Sequence, residues 1–133
     1  MTSKNIDLKK IAEVLREQCP FIVFATISGM DETWRPGQGE KPELNVFILE
    51  DKGTWSALEQ ILHSIAPIIP DSSFDLTLLN RVDPATRLRA ANGFCLFVLD
   101  GKEQYYRQFV RQASLDYRIM CARQRVRGFV DND

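Results

Sequence analysis

Apolar residues in this chain occur in two spacings that alternate along the sequence. Short runs rich in Val, Ile, Leu and Phe predict strands over residues 21–28, 44–50, 73–80 and 94–99. Between these runs, apolar residues recur at the spacing of amphipathic helices. The helical positions are Ile6, Ile11, Val14 and Leu15, then Leu58, Ile61, Leu62 and Ile65, and finally Tyr106, Phe109, Val110, Ala113 and Ile119.

Local signals mark the ends of several elements. Pro20 closes the first helical segment, and the second stops near Pro67. Asp83, followed by proline, predicts the start of a short third helix because Asp is a favoured N-cap and proline fits the first helical position. The last helix is expected to run through about Arg123. The order of elements predicts a single domain over residues 1–133, an α/β (α+β) fold of about four strands and about four helices.

Composition narrows the class of protein. The chain has 133 residues, of which 26% are charged and 44% hydrophobic, as in ordinary soluble globular domains. A net charge of −1 gives no global attraction to nucleic acid or to an anionic membrane. No apolar run has the length of a membrane span, and the polar start does not have the pattern of a secretory signal. The cytoplasm is therefore the expected compartment.

Cysteine and histidine offer little chemistry. Cys19, Cys95 and Cys121 are odd in number and widely spaced, which argues against both a disulfide framework and a zinc site. His63 is the only histidine, on a helical pattern, and it has no partner for a histidine-based triad or a multi-histidine metal site.

Three oxygen-bearing side chains lie on two of the predicted strands. Glu43 and Asn45 are two residues apart and would project from the same face of one strand. Asp75, between two apolar residues of the next strand, would join them if the strands are neighbours. Oxygen ligands of this kind suit a hard divalent cation, although the amide of Asn45 carries no charge.

The chain resembles the minimal nucleotidyltransferases of the DNA polymerase β superfamily. The resemblance is carried by Phe74-Asp75-Leu76-Thr77-Leu78-Leu79-Asn80, by Arg87-Leu88-Arg89 with Asn92-Gly93-Phe94-Cys95-Leu96-Phe97, and by Tyr105-Tyr106-Arg107-Gln108-Phe109. It implies a nucleotidyltransferase-like mixed β-sheet flanked by helices. The family's Gly-Ser falls on Ala25-Thr26, and its Asp-x-Asp pair falls on Glu43 and Asn45.

The family resemblance implies a site for Mg²⁺ and a nucleoside triphosphate. Glu43 and Asp75 would be the metal ligands, and Glu43, Asn45 and Asp75 would form a degenerate catalytic triad. Ala25, Thr26, Arg35 and Lys41 are the residues expected to meet the nucleotide. The family's metal-bridging acid is Asn45 here, which predicts that Mg²⁺ and nucleotide bind weakly or not at all. The alternative is an active Mg²⁺-dependent nucleotidyltransferase that modifies a protein or a small acceptor.

The last helix offers a second candidate surface. Arginine and tyrosine are favoured interface anchors, and the predicted partner-binding residues are Tyr106, Arg107, Phe109 and Arg111. Minimal nucleotidyltransferases commonly pair with a helical HEPN-type protein as antitoxin to toxin, so the resemblance implies an antitoxin-like role. Three alternatives stay open: a solvated basic helix face, a homo-oligomer, and nucleic-acid binding, for which one arginine-rich helix is thin support.

Overall fold

The structure of the chain is a computed structural model that describes residues 8–29, 41–49, 51–69 and 73–131, with side chains through residue 125. The helices are α1 (Leu8–Gln18), α2 (Thr54–Ile65), α3 (Pro84–Ala91) and α4 (Glu103–Asp131). The strands are β1 (Ile22–Ser28), β2 (Glu43–Ile48), β3 (Asp75–Leu78) and β4 (Phe94–Val98), and a 3₁₀ helix spans Leu79–Arg81. Two sequence predictions, Ile6 as a helical position and Arg35 as a nucleotide-binding residue, lie outside the described residues.

The described strands form one mixed sheet in the order β3-β2-β1-β4. β1 pairs antiparallel with both β2 and β4, whereas β2 pairs parallel with β3. The parallel pair requires a crossover, and α2 supplies it between β2 and β3. The predicted mixed sheet of four strands and four helices is confirmed for the described part of the chain.

Each face of the sheet carries its own apolar core. Helices α1 and α2 cover the first face, where Ile11, Leu15 and Ile61 pack among Val46 and Ile48 of β2. Helices α3 and α4 cover the second face, where the buried residues are Val23, Phe24, Leu79, Ala90 and Phe109. Because both faces are covered, β1 is buried almost throughout, as its continuous apolar sequence predicts.

Most element boundaries lie within two residues of the predictions; β2, for example, ends at Ile48 rather than at residue 50. The strand predicted over residues 73–80 is shorter, since the chain turns into the 3₁₀ helix after Leu78. The Asn80 side chain then takes the place of backbone pairing between the strands. Its Oδ1 accepts from Ile48 N at 3.0 Å, and its Nδ2 donates to Ile48 O at 2.9 Å. Helix α4 continues beyond Arg123 to Asp131.

The predicted cap of α3 is present. The Asp83 carboxylate accepts a hydrogen bond from Thr86 N at 2.7 Å, and Pro84 occupies the first helical position. This bond lowers the pKa of Asp83 below its ordinary value of 3.8. Within the described residues, no helix combines the length and the apolar character needed to cross a membrane.

Candidate functional site

The parallel pairing of β2 and β3 brings the two predicted carboxylates together. Glu43 is in register with Asp75, and Asn45 is in register with Thr77. Neighbouring strands lie about 4.8 Å apart, so the backbones at Glu43 and Asp75 have that separation, and Asn45 lies about 8 Å diagonally from Asp75. The three residues therefore share one face at one end of the sheet, the end where β2 begins.

Asn45 is the buried centre of this group. Its side chain is fully buried, and its amide nitrogen donates to Ser28 Oγ at 3.0 Å, to Thr26 Oγ1 at 3.3 Å and to Glu43 O at 3.4 Å. The Asn45 Oδ1 atom is buried with no hydrogen-bond partner among the described residues. The residue thus works as a donor toward three oxygens, which is a role that an ionised carboxylate cannot fill.

Ser28 belongs to this site although the sequence reasoning missed it. Its hydroxyl accepts from Asn45 and donates to Arg89 O at 3.0 Å, so it joins β1 to both β2 and α3. Ser28 is the last residue of β1 and is followed by Gly29 at φ 77°. The signal available in the sequence was the Ser-Gly pair at the end of the apolar run.

The placement of the phosphate cradle on Ala25 and Thr26 is wrong. Both residues are fully buried in the middle of β1, paired with Val46 and Asn45 of β2. A phosphate would have to enter the interior of the sheet to reach them, so neither residue is available to a nucleotide. The residues at the end of β1, beside the turn that follows it, are Ser28 and Gly29.

Arg89 is a second residue that the sequence reasoning did not assign to the site. Its Nε lies 3.5 Å from Glu43 Oε1, and its Nη2 donates to Thr86 Oγ1 at 3.3 Å. The side chains of Arg89 and Glu43 are 55% and 27% exposed, so solvent screens this ion pair and its contribution to stability is at most about 1 kcal/mol. The ion pair matters to the site because the Arg89 guanidinium already faces the Glu43 carboxylate, one of the two carboxylates there.

A close backbone approach holds α3 and β4 against the end of β1. A Cβ built on Gly93 would lie 2.7 Å from both Ile27 O and Ser28 Oγ, so only glycine fits without a shift of the neighbours. Ser28, Gly29, Arg89 and Gly93 line an open cavity of about 370 Å³ at this corner. Lys41, one of the predicted nucleotide-binding residues, is exposed just before β2 begins.

The described donors of this site do not by themselves fit a pair of Mg²⁺ ions. Within the described ranges, no group of three or more His, Cys, Asp or Glu side chains is placed to hold a metal ion. Glu43 is paired with Arg89, and Asn45 directs its amide hydrogens rather than a charge toward the neighbouring oxygens. Two metal ions bridged between substrate phosphates and protein need several anionic oxygens in octahedral geometry. The described residues supply two carboxylates, Glu43 and Asp75.

The terminal helix divides the predicted partner-binding residues into two groups. Phe109 is only 7% exposed and packs against Phe24 and Phe47 with ring centroids 5.0 and 6.2 Å away. It is a core residue, so its assignment to a partner surface is wrong for the folded chain. Arg107 and Arg111 lie on the exposed side of α4.

Tyr106 is half-buried and belongs largely to the core. Its ring meets Phe24 edge-on, with centroids 5.1 Å apart, and its hydroxyl neighbours the Cys95 thiol. Burial raises the pKa of both Tyr106 and Cys95, so neither side chain is ionised near neutral pH. These residues therefore link β4 to α4 as neutral groups.

Comparison with known proteins gives a fold. No protein-family model matches the sequence, and no curated protein matches it either. Among solved structures, a mutant of the MntA–HepT toxin–antitoxin complex contains a chain that superposes with a TM-score of 0.70 at 17% identity, over 96% of this chain and 98% of the other.

Two further solved structures agree. A toxin–antitoxin structure with AMP-PNP gives a TM-score of 0.69 at 16% identity, over 96% of this chain and 98% of that one. The tri-AMPylated HEPN toxin of Shewanella oneidensis in complex with its MNT antitoxin gives 0.65 at 16% identity, over 94% and 93%. The chain therefore has the minimal nucleotidyltransferase fold, along nearly its whole length.

Proposed function

We propose that this protein is an antitoxin-like component that binds a helical HEPN-type partner in the cytoplasm and has lost most or all metal-dependent nucleotidyl transfer. The observation that carries the proposal is Asn45, which is fully buried and donates to Ser28, Thr26 and the Glu43 carbonyl. The fold likeness to chains of MntA–HepT complexes over 96% of this chain supports the partner class.

The chemical argument rests on charge. Nucleotidyl transfer uses two metal ions that stabilise the attacking and leaving oxygens together, and the ions are held by carboxylates. At an effective dielectric near 20, a pair of unit charges about 4 Å apart contributes on the order of 4 kcal/mol, and a divalent ion doubles this before desolvation. Asn45 contributes no such charge, and Arg89 already offsets part of the charge on Glu43. Mg²⁺ and nucleotide are therefore expected to bind weakly.

The proposed docking surface is the outward face of α4, opposite the core residues Phe109 and Ala113. We call it the α4 face and define it by Arg107, Arg111, Leu115, Arg118 and Ile119. Leu115 and Ile119 are 42% and 41% exposed, and arginines flank them along the helix. Residues 103–125 contain five arginines and two acids. An amphipathic partner helix with an acidic rim would complement this face.

Co-purification tests the binding role. The chain is expressed together with a candidate HEPN-type protein sought among the neighbouring genes of its native host. The double variant Arg111→Glu/Leu115→Asp is expected to lose the complex on size-exclusion chromatography. The matched control is Lys9→Glu/Trp55→Asp, which makes the same two kinds of change at exposed positions of α1 and α2 and should retain it. The proposal fails if the wild type binds no partner, or if the α4 variant still binds while the control does not.

A labelling assay separates this role from the alternative of an active transferase. Glu43 and Asp75 are in register on adjacent strands, and this juxtaposition is the observation that favours the alternative. We expect labelled ATP, with Mg²⁺ or Mn²⁺, to give no more labelling of the chain or its partner than the Asp75→Ala variant gives. Labelling by the wild type that Asp75→Ala abolishes would make the protein an enzyme. The same assay with the other nucleoside triphosphates covers a different nucleotide preference.

A further inference from the structure

A second cavity lies at the opposite end of the sheet from Glu43. Its volume is about 470 Å³, and its lining includes Ile48, Lys52, Asn80, Arg81 and Arg87. Since β2 runs from Glu43 to Ile48, the cavity is about 16 Å from the carboxylates along that strand. The cavity is therefore separate from the site at the start of β2.

The charged residues around this cavity all have one sign. Lys52, Arg81 and Arg87 line it, and none of its described lining residues is acidic. Like charges that share a cleft repel one another, and a cleft with low-dielectric walls concentrates their field. An anion inside the cavity would relieve that repulsion.

Arg87 contributes a hydrogen-bond donor that the protein does not use. Its Nη2 donates to Asn80 O at 3.3 Å, and its guanidinium lies 5.8 Å from the centre of the Phe109 ring. These contacts hold the side chain in place, while its Nε is buried without an acceptor among the described residues. A buried donor on a charged group is costly to leave unpaired, and an anion held by the other nitrogens of the guanidinium would stabilise its charge without reaching Nε itself.

The start of α2 adds further donors at the same cavity. Thr54, the first residue of this 12-residue helix, belongs to the lining. The N-cap residue is Gly53, and no side chain caps the helix. The first N–H groups of a helix have no intrahelical acceptors and carry the positive end of the helix dipole. The helix start reinforces the three cationic side chains without being needed to define the site.

We propose that this cavity binds a small ligand through its phosphate groups, at a site independent of the nucleotidyltransferase-like edge and of any partner on the α4 face. Three cations, with no acidic side chain among the described lining residues, match the charge of a diphosphate better than that of a monoanion. The guanidinium groups of Arg81 and Arg87 suit planar, bidentate contact with phosphate oxygens. Lys52 adds a point charge, although its Nζ also donates to Gln60 Oε1 at 3.4 Å and lies 4.6 Å from the centre of the Phe21 ring.

Titration calorimetry with pyrophosphate, at low ionic strength, tests this site in the full chain. We expect the double variant Lys52→Gln/Arg81→Gln to raise the Kd for pyrophosphate at least about tenfold, because two charge-assisted hydrogen bonds are removed. The matched control is Lys9→Gln/Arg123→Gln, which removes one lysine and one arginine charge at exposed positions of α1 and α4 and should leave the Kd within about twofold of the wild type. Thermal unfolding of both variants checks that the fold is retained.

Three results would overturn the proposal. They are the absence of pyrophosphate binding by the wild type at millimolar concentration, an equal loss of affinity in the two double variants, and a loss confined to Lys9→Gln/Arg123→Gln. A parallel titration with ADP identifies the source of the phosphate. Equal affinities for ADP and pyrophosphate assign the site to the diphosphate alone, whereas tighter ADP binding assigns it to a nucleotide.

Discussion

The Asn45 side chain donates to the Ser28 hydroxyl across 3.0 Å, and Ser28 in turn donates to the Arg89 carbonyl at the same distance. This chain of hydrogen bonds connects β2, β1 and α3 at one corner of the sheet. It depends on the amide hydrogens of Asn45, because the hydrogen of the Ser28 hydroxyl is already used toward Arg89. The corner is therefore organised around a neutral hydrogen-bond donor, the amide of Asn45.

Replacing Asn45 by aspartate should restore charge and reduce stability. Without metal, Asn45→Asp is expected to lower the free energy of unfolding by about 1–3 kcal/mol, since it removes a hydrogen-bond donor and buries a carboxylate beside oxygen atoms. Added Mg²⁺ should then raise the melting temperature of the variant more than that of the wild type. Differential scanning fluorimetry with and without Mg²⁺ measures both effects.

The second variant needed is Asn45→Asp/Asp75→Asn. If the new carboxylate acts with Asp75, this double variant loses the Mg²⁺-dependent gain. No gain in the single variant would mean that the positions of the ligands, as well as their charge, differ from a working metal site.

Gly93 is predicted to control the position of Ser28. Gly93→Ala places a Cβ 2.7 Å from Ile27 O and Ser28 Oγ, so the turn must move away from β1. We expect a loss of about 1–3 kcal/mol in urea unfolding, as for other overpacked sites. Gly53→Ala is the matched control, because its added Cβ meets nothing within 4 Å. Similar losses in the two variants would contradict the close approach at Gly93.

Phe109 should behave as a core residue. Phe109→Ala removes the ring that packs on Phe24 and Phe47, and a loss of about 3–5 kcal/mol in the free energy of unfolding is expected. The comparison is Tyr105→Ala, whose side chain is 54% exposed and whose loss should stay within about 0.5 kcal/mol. If the Phe109→Ala protein is as stable as the wild type but fails to bind its partner, Phe109 is an interface residue rather than a core residue.

Asp83 should make the stability of α3 depend on acid pH. The pKa of Asp83 is lowered in the folded chain, chiefly by the hydrogen bond from Thr86. The ionised carboxylate therefore stabilises the fold at pH values above the ordinary pKa of 3.8, and this stabilisation is lost as the pH falls through the folded pKa. Asp83→Ala is therefore expected to destabilise the protein at pH 7, and its deficit should shrink below pH 3.8. Urea midpoints at the two pH values test the sign, and a constant deficit would assign it to helix propensity alone.

The sequence by itself determined the features that depend on near neighbours. The periods of apolar residues identify strands and helices because a helix turns about 100° per residue and a strand about 180°. The cap at Asp83 is readable because the capping carboxylate and the N–H that it binds are three residues apart. The shared face of Glu43 and Asn45 follows from the alternation within one strand.

Only the tertiary structure decided which of these groups meet. The register that sets Asp75 beside Glu43 depends on how α2 carries the chain from β2 to β3, and local sequence does not encode that pairing. The same holds for Arg89, which reaches Glu43 from 46 positions along the chain only because α3 packs over that end of the sheet. Residue type alone favoured Phe109 as an interface anchor, yet packing against Phe24 turned it inward.

The cavity lined by Lys52, Arg81 and Arg87 is another feature that only the tertiary structure decided. Each is an ordinary surface cation in the sequence, and they come from the turn before α2, the 3₁₀ helix and α3. Local patterns fix the direction of a side chain relative to its own element, because backbone geometry repeats every few residues. Convergence of side chains from different elements depends on the packing of those elements, which the burial of apolar area across the whole domain decides.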